Sequence, residues 1–329
     1  MKIKDILQIK YGKNQSSVID ESGKYPIIGT GGIFGYATKY LYNKPSVLIG
    51  RKGSINNPMY VDTPFWTVDT LFYTIIDTSK VIPRWFYYYI STLNLNKFNE
   101  GTTIPSLTTK TLYEIDVPEH SLNYQQHIVD IIGSLDDKIE NNNKIIDKLW
   151  QKLQLIHTDF KSKNELVEKN ILELADIKYG KGIPTSEILK DGLYSVYGSN
   201  GIIGYLNNYT FKEHKIAISC RGNSSGIIHL TDENSTVTSN SLVLDFKNFD
   251  YTYYFFLEFM YKGLYEYKTG SAQPQITIDN LKILNLQVPK NINDYIKNIN
   301  DSVEYTFCLK KENQKLFLLK QFYLKKFFG

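Results

Sequence analysis

Only Arg51, Arg84 and Arg221 are arginine among 38 basic residues, and two of the three sit in short glycine-bearing turns. These are Arg51-Lys52-Gly53-Ser54 and Arg221-Gly222-Asn223-Ser224. A guanidinium fork pairs with guanine O6 and N7, Asn reads adenine, Ser serves either base, and glycine lets backbone approach closely. The turns therefore offer Arg51, Lys52, Ser54, Arg221, Asn223 and Ser224 as candidate contacts to duplex DNA; the competing reading is a solvated surface turn. Lys13 and Lys181 end two identical pentapeptides and are candidate phosphate contacts. Thr102, Thr103 and Lys110, and Lys268 with Ser271, Gln273 and Gln275, have side chains suited to phosphate or base contact, in competition with plain loop chemistry. Trp66 and Tyr36 read as core residues rather than base-stacking ones.

The wider composition sets limits on this chemistry. A net charge of +4 argues for nucleic acid only if the positive groups share a face. Richness in Lys, Asn, Ile, Tyr and Phe is what an AT-rich genome encodes, so the 26 tyrosines carry no argument. An Arg kept in such a lysine-biased chain points instead to a need for its planar fork.

Catalytic patterns are missing. The match to G-x-G-x-x-G at Gly29-Thr30-Gly31 fails at Phe34, and no G-x-x-x-x-G-K-[ST] occurs. Asn56-Asn57-Pro58-Met59 lacks the second proline and the aromatic of the Asn-Pro-Pro-Tyr loop of amino-methylating DNA methyltransferases. No G-x-S-x-G elbow, H-E-x-x-H or repeated carboxylate pair is found. Two cysteines and five histidines without zinc spacing predict a reducing cytoplasm and no structural metal. No apolar run is long enough to span a membrane, and 42% apolar content excludes intrinsic disorder. A non-catalytic binding chain fits these observations.

The candidate residues recur because the chain repeats. Ile9-Lys10-Tyr11-Gly12-Lys13 returns as Ile177-Lys178-Tyr179-Gly180-Lys181. Gly29, Gly32, Gly35 and Tyr36 return as Gly198, Gly201, Gly204 and Tyr205, and Val47-Leu48-Ile49 as Ile216-Ala217-Ile218. Gly50-Arg51-Lys52-Gly53-Ser54 is answered by Ser219-Cys220-Arg221-Gly222-Asn223. An aromatic segment, 85–90, matches 253–257; Gly101 to Leu107 matches Gly270 to Ile276, and both copies close on Val-Pro. The unchanged order identifies a tandem duplication.

Each copy divides into a β-rich globule with aromatic helices and a long proline-free helix. From Ile128 onward, Ile132, Leu135, Ile139, Asn142, Ile146, Leu149, Leu153, Ile156 and Phe160 alternate spacings of four and three, a heptad seam. In the closing segment Ile296, Val303, Phe307, Phe317, Leu324 and Phe328 keep a register that Asn300, Lys310, Gln314 and Gln321 interrupt. The predicted boundaries are 1–122, 123–164, 165–290 and 291–329. Two seamed helices in the order globule, helix, globule, helix predict an antiparallel pair with pseudo-twofold symmetry and the globules at opposite ends.

The ordered set resembles the specificity subunit of type I restriction-modification enzymes over essentially the whole chain. It runs from the pentapeptide through Tyr25 to Tyr36, Ile49 to Ser54 and Gly101 to Leu107, to Gln125-Gln126-His127-Ile128-Val129-Asp130-Ile131-Ile132 entering the helix. The resemblance implies an α+β chain: two repeated mixed α/β target-recognition domains separated by two long antiparallel coiled-coil helices. Each domain would read one half of a bipartite site on double-stranded DNA, and the helices would set the spacing. It further implies two modification subunits, which bring S-adenosylmethionine and the catalytic site, with restriction subunits completing an endonuclease; this chain would itself bind no cofactor, metal or membrane. Two alternatives are the detached recognition part of a fused restriction-methylation enzyme and a duplicated carbohydrate-binding module. The short lead-in to the first copy is expected to trim an edge of its domain.

Overall fold

A computed structural model of the chain describes residues 1–270 and 273–329. Its elements begin with β1 (Leu7–Tyr11), β2 (Tyr25–Gly29), β3 (Gly32–Ala37), β4 (Ser46–Gly50), β5 (Met59–Val61), β6 (Trp66–Thr67) and β7 (Leu71–Ile76). They continue with α1 (Pro83–Thr92), α2 (Thr109–Tyr113), α3 (Leu122–Lys163), β8 (Leu166–Asn170), α4 (Ile171–Leu174) and β9 (Ala175–Tyr179). Next come β10 (Tyr194–Gly198), β11 (Gly201–Leu206), β12 (Ile216–Ser219), β13 (Ile228–Leu230), β14 (Thr236–Val237) and β15 (Ser241–Phe246). The chain closes with α5 (Asp250–Lys262), α6 (Ile278–Lys282), β16 (Asn285–Pro289) and α7 (Asn293–Phe328). These gather into two units, residues 1–141 with 312–329 and residues 142–311, so that each long helix contributes to both.

The first unit is built on β4, whose residues are all buried. Its alternation sends Val47 and Ile49 into the core shared with α1 and its Trp85, Phe86, Tyr88 and Ile90, while Leu48 joins Ile28, Phe65 and Leu71 on the other face. β4 lies between β5 and β7 in a sheet of order β1-β7-β4-β5, and a small sheet of order β3-β2-β6 covers the second face. The second unit repeats this. Its sheets run β9-β15-β12-β13 and β11-β10-β14, with Ile216 and Ile218 facing α5 and Ala217 facing the small sheet. Even an irregularity is copied: pairing slips between Ile27 and Ile28 and again between Val196 and Tyr197. The copies differ at one edge, where the second unit pairs β8 with β16 over five residues and the first has the single bridge Lys2 to Asp116.

Within each unit the long helices run antiparallel and are pinned to the globule by polar groups. In the first unit His127 lies near Phe327, Asp136 binds Lys320 at 2.6 Å, and Lys138 meets Glu312 at 3.6 Å. Gln125 is fully buried and fixes the start of α3, donating to the Lys80 and His120 carbonyls and accepting from Ile82 N. The third arginine is structural, Arg84 binding Asp137 at 2.7 Å. In the second unit the pin is a charged cluster: His157 Nε2 lies 2.9 Å from Glu258, which also meets Lys161 and Lys262 at 2.6 Å each, while His157 Nδ1 lies 2.9 Å from the Tyr295 hydroxyl.

Every expected seam position of α3 is buried or half-buried. The seam of α7 lies one residue earlier than the sequence indicates. Tyr295, Ile299, Ser302, Thr306, Leu309, Asn313, Leu316, Lys320, Tyr323 and Phe327 hold the 4-3 spacing and none is exposed, and among them Tyr295, Lys320 and Phe327 meet α3 within their own units. Phe317 is instead 55% exposed. The apolar residues that drew the expected register, Val303, Phe307 and Leu324, face the globular cores. Polar residues on the helix-facing side hid the true stripe.

Candidate nucleic-acid interface

The candidate residues of the first unit converge where strands end. Gly12 N and Arg51 N donate to the Leu71 and Thr70 carbonyls, at 3.0 and 2.8 Å, so the turn after β4 lies beside the end of β1. Gly50 cannot carry a side chain, because a Cβ there would sit 2.5 Å from the Ser54 oxygen, and Gly53 holds a positive φ of 82°. The 101–107 loop closes over this turn: Gly53 N donates to Pro105 O, Leu107 N donates to Arg51 O, and Lys52 bridges to Ser106. Asn99 Oδ1 shapes the loop by accepting from Gly101 N and Ser106 N, leaving Thr102 and Thr103 exposed. Lys13 is exposed, its carbonyl accepting from the Trp66 indole. Lys110 is exposed on α2, where its charge neighbours Glu100; hydrogen bonds from Thr111 and Thr108 hold that carboxylate below its usual range.

The second unit forms the same arrangement with other side chains. Cys220 N donates to Asn240 O, Ile276 N donates to Cys220 O, Arg221 bridges to Gln275, and Gly222 has φ 70°. Lys181 N donates to Val237 O and Ser239 N to Lys181 O. Ser224 bonds Asn200 at 2.5 Å, tying the turn to the tip of the β10–β11 hairpin. Lys268 lies over the Tyr265 ring at 4.3 Å and close to Gly226. Asn223, Gln273 and Gln275 are exposed, and Ser271 lies outside the described residues.

This backbone correspondence agrees with the repeat alignment read from the sequence, in which the two arginines stand at different positions of the turn. Arg51 takes the position of Cys220, and Arg221 takes that of Lys52, because carbonyl acceptors, bridges and the positive-φ glycine all match at that offset. Arg51 is engaged within the unit: its guanidinium lies 5.1 Å from the Tyr11 ring and donates to Asp69 O at 3.0 Å. Lys52 and Arg221 are the exposed cations at the shared position. Tyr11 and Asn200 belong to the site and were missed; the repeat itself marks Tyr11, whereas nothing in the sequence marks Asn200. Trp66 is 6% exposed and belongs to the core, but Tyr36 is 49% exposed and does not.

Among the described residues, no group of three or more His, Cys, Asp or Glu side chains is placed to hold a metal ion. No helix among them is long and apolar enough to cross a membrane. The two exposed turns, flanked by lysines and by hydroxyl and amide side chains, can neutralise phosphates and present donors and acceptors to base edges.

Comparison with known proteins gives concordant results. The type I restriction modification DNA specificity domain matches this chain twice, over residues 1–151 and 163–321. The chain is 26% identical over 198 residues to the type I restriction enzyme MjaIX specificity subunit of Methanocaldococcus jannaschii, covering 53% of this chain and 41% of that protein. It is 25% identical over 251 residues to the putative type I specificity subunit S.MgeORF438P of Mycoplasma genitalium, covering 69% and 64%. The match thus spans less than two thirds of either relative. The crystal structure of a type I restriction-modification system S subunit from M. genitalium has a similar fold, with a TM-score of 0.69 at 20% identity over 100% of this chain and 95% of that one.

Proposed function

Since the chain belongs to the family of type I restriction modification DNA specificity domains, we propose that it is the sequence-recognition subunit of a type I restriction-modification complex. Each unit reads one half of a bipartite site on duplex DNA, and the paired helices set the distance between the halves. Recognition, not catalysis, is this chain's part: two modification subunits bring S-adenosylmethionine and the methyl-transfer site, and restriction subunits add cleavage.

One observation carries the reading. The same turn, with an exposed cation at one position and a positive-φ glycine after it, occurs once in each copy, beside loops that present different side chains: Thr102 and Thr103 in one, Gln273 and Gln275 in the other. A shared frame with divergent reading groups is what two unlike half-sites require. Phosphate contacts release counterions, so affinity for duplex should fall steeply as salt rises, whereas a carbohydrate-binding module stacking sugars on aromatics should hardly respond. Fluorescence anisotropy of the chain with its modification subunits on labelled duplex, across a salt series, makes the distinction. A flat salt dependence contradicts the proposal.

A further inference from the structure

The second unit contains a cleft of about 500 Å³ that includes Lys178, Lys181, Lys212 and Lys215 in its lining. On its floor Lys215, only 8% exposed, meets Asp245 at 2.7 Å and Glu213 at 3.3 Å. Lys178 donates to the same Asp245 at 3.0 Å and lies 5.2 Å from the Phe211 ring. Two carboxylates are thereby matched by two ammonium groups. Lys181 and Lys212 are exposed, and neither meets a carboxylate among the described residues, so the cleft keeps an excess of positive charge.

The fold does not require the Lys215–Asp245 pair or Lys212. At the matched positions the first unit has Ser46 for Lys215, Ile75 for Asp245 and Asn43 for Lys212, and it fills the place with a neutral bond from Ser46 to the Thr74 carbonyl at 2.8 Å. Burying ions is costly unless a partner or ligand offsets the desolvation, so such a cluster is weak evidence of a stabilising role. Its position fits the candidate interface. Lys181 and the Arg221 turn hydrogen-bond to one segment, residues 237–241, through Lys181 N to Val237 O and Cys220 N to Asn240 O.

We propose that this cleft is a phosphate subsite that takes a backbone phosphate of the duplex flanking the half-site read by the second unit, with Lys181 and Lys212 as its donors. It rests on the DNA reading above and adds an asymmetry to it: the first unit keeps Lys10 and Lys13 at the places of Lys178 and Lys181 but has Asn43 where Lys212 stands, so the Lys212 donor belongs to the second unit alone.

The test uses the chain assembled with its modification subunits and a duplex carrying the motif that the complex methylates. Lys212→Ala and Lys181→Ala should each weaken binding several-fold and flatten the plot of log affinity against log salt by about 0.9. The base preference of both half-sites should stay as it is. Lys212→Arg should retain both affinity and slope, and Asn43→Ala in the first unit should change neither. The inference is overturned if the alanine variants keep wild-type affinity and slope, or if they alter the bases preferred. It is overturned equally if inorganic phosphate binds in a Lys212-dependent way while duplex binding ignores Lys212, which marks a free-anion site. If the wild-type complex has no affinity for duplex, the proposed function itself fails and the subsite with it.

Discussion

The Arg51 guanidinium has two intramolecular partners, the Tyr11 ring and the Asp69 carbonyl, whereas Arg221 and Lys52 are exposed at the matched position. A donor already engaged has fewer hydrogens to give a base. Arg221→Ala should therefore cost about 1–3 kcal/mol of binding and relax preference in one half-site only, if its fork meets guanine. Lys52→Ala should act on the other half, and Arg51→Ala should have the smaller direct effect, all measured by anisotropy on duplexes with single-base changes. A uniform loss across sequences would instead assign these cations to phosphates. The composition of the two turns was legible in the sequence because Arg is so scarce here. Which arginine stands free was not, since that depends on a ring and a carbonyl brought in by other strands. Glu258 supplies a second residue-level test. Burial raises its pKa, but hydrogen bonds from His157, Lys161 and Lys262 outweigh burial and hold the carboxyl well below the usual range. A depressed folded pKa contributes stability that is present above the unfolded value of about 4.3 and is lost as pH falls through the folded one. Glu258→Gln should cost about 1–3 kcal/mol near neutral pH, because it removes the largely buried carboxylate that accepts from Lys161 and lies against His157, while Lys262 remains open to solvent. It should also flatten the loss of stability below about pH 4, as followed by chemical unfolding across pH.

At the scale of elements, β4 and β12 were visible as short β-branched runs, and α3 as an unbroken heptad stripe. The stripe of α7 was harder to read. Its seam carries Ser302, Thr306, Asn313 and Lys320, while Val303, Phe307 and Leu324 serve the globules, so hydrophobicity alone marks the wrong face. The one-residue shift has a direct consequence. Leu309 is 4% exposed and Phe317 is 55% exposed. Leu309→Asp should destabilise its unit by about 3 kcal/mol or more, by placing an unpaired charge in a buried site. Phe317→Asp should stay within about 0.5 kcal/mol, as other surface changes do. Thermal unfolding of the two variants decides between the seams; a larger loss for Phe317→Asp than for Leu309→Asp would restore the register read from the sequence. The hairpin tips show a different limit. The glycine spacing announced turns in both copies, but the Ser224–Asn200 bond that ties one tip to the Arg221 turn joins residues 24 apart whose types carry no pairing signal.

For the whole molecule, the duplication was fully legible, and the structure deepens it to matched sheet orders and a matched pairing slip. Under the proposed function the two units need a fixed separation, and the long helices α3 and α7 each contribute to both units. Seven residues add about 10.5 Å of helix at about 1.5 Å each, or about three base pairs at 3.4 Å. Paired seven-residue insertions, between Leu135 and Ile156 and at the matching level of α7, keep both seams in phase. They should lengthen the unspecified spacer of the methylated motif while leaving its bases unchanged; insertions of two residues should disrupt folding instead. The central claim, that this chain chooses a bipartite DNA sequence for its complex, is tested most directly by genome-wide mapping of methylated bases in cells with the chain and in cells from which it alone has been removed. The account predicts one motif of two short specified halves around an unspecified spacer, methylated in the first cells and unmethylated in the second. An identical methylation map in both would contradict it.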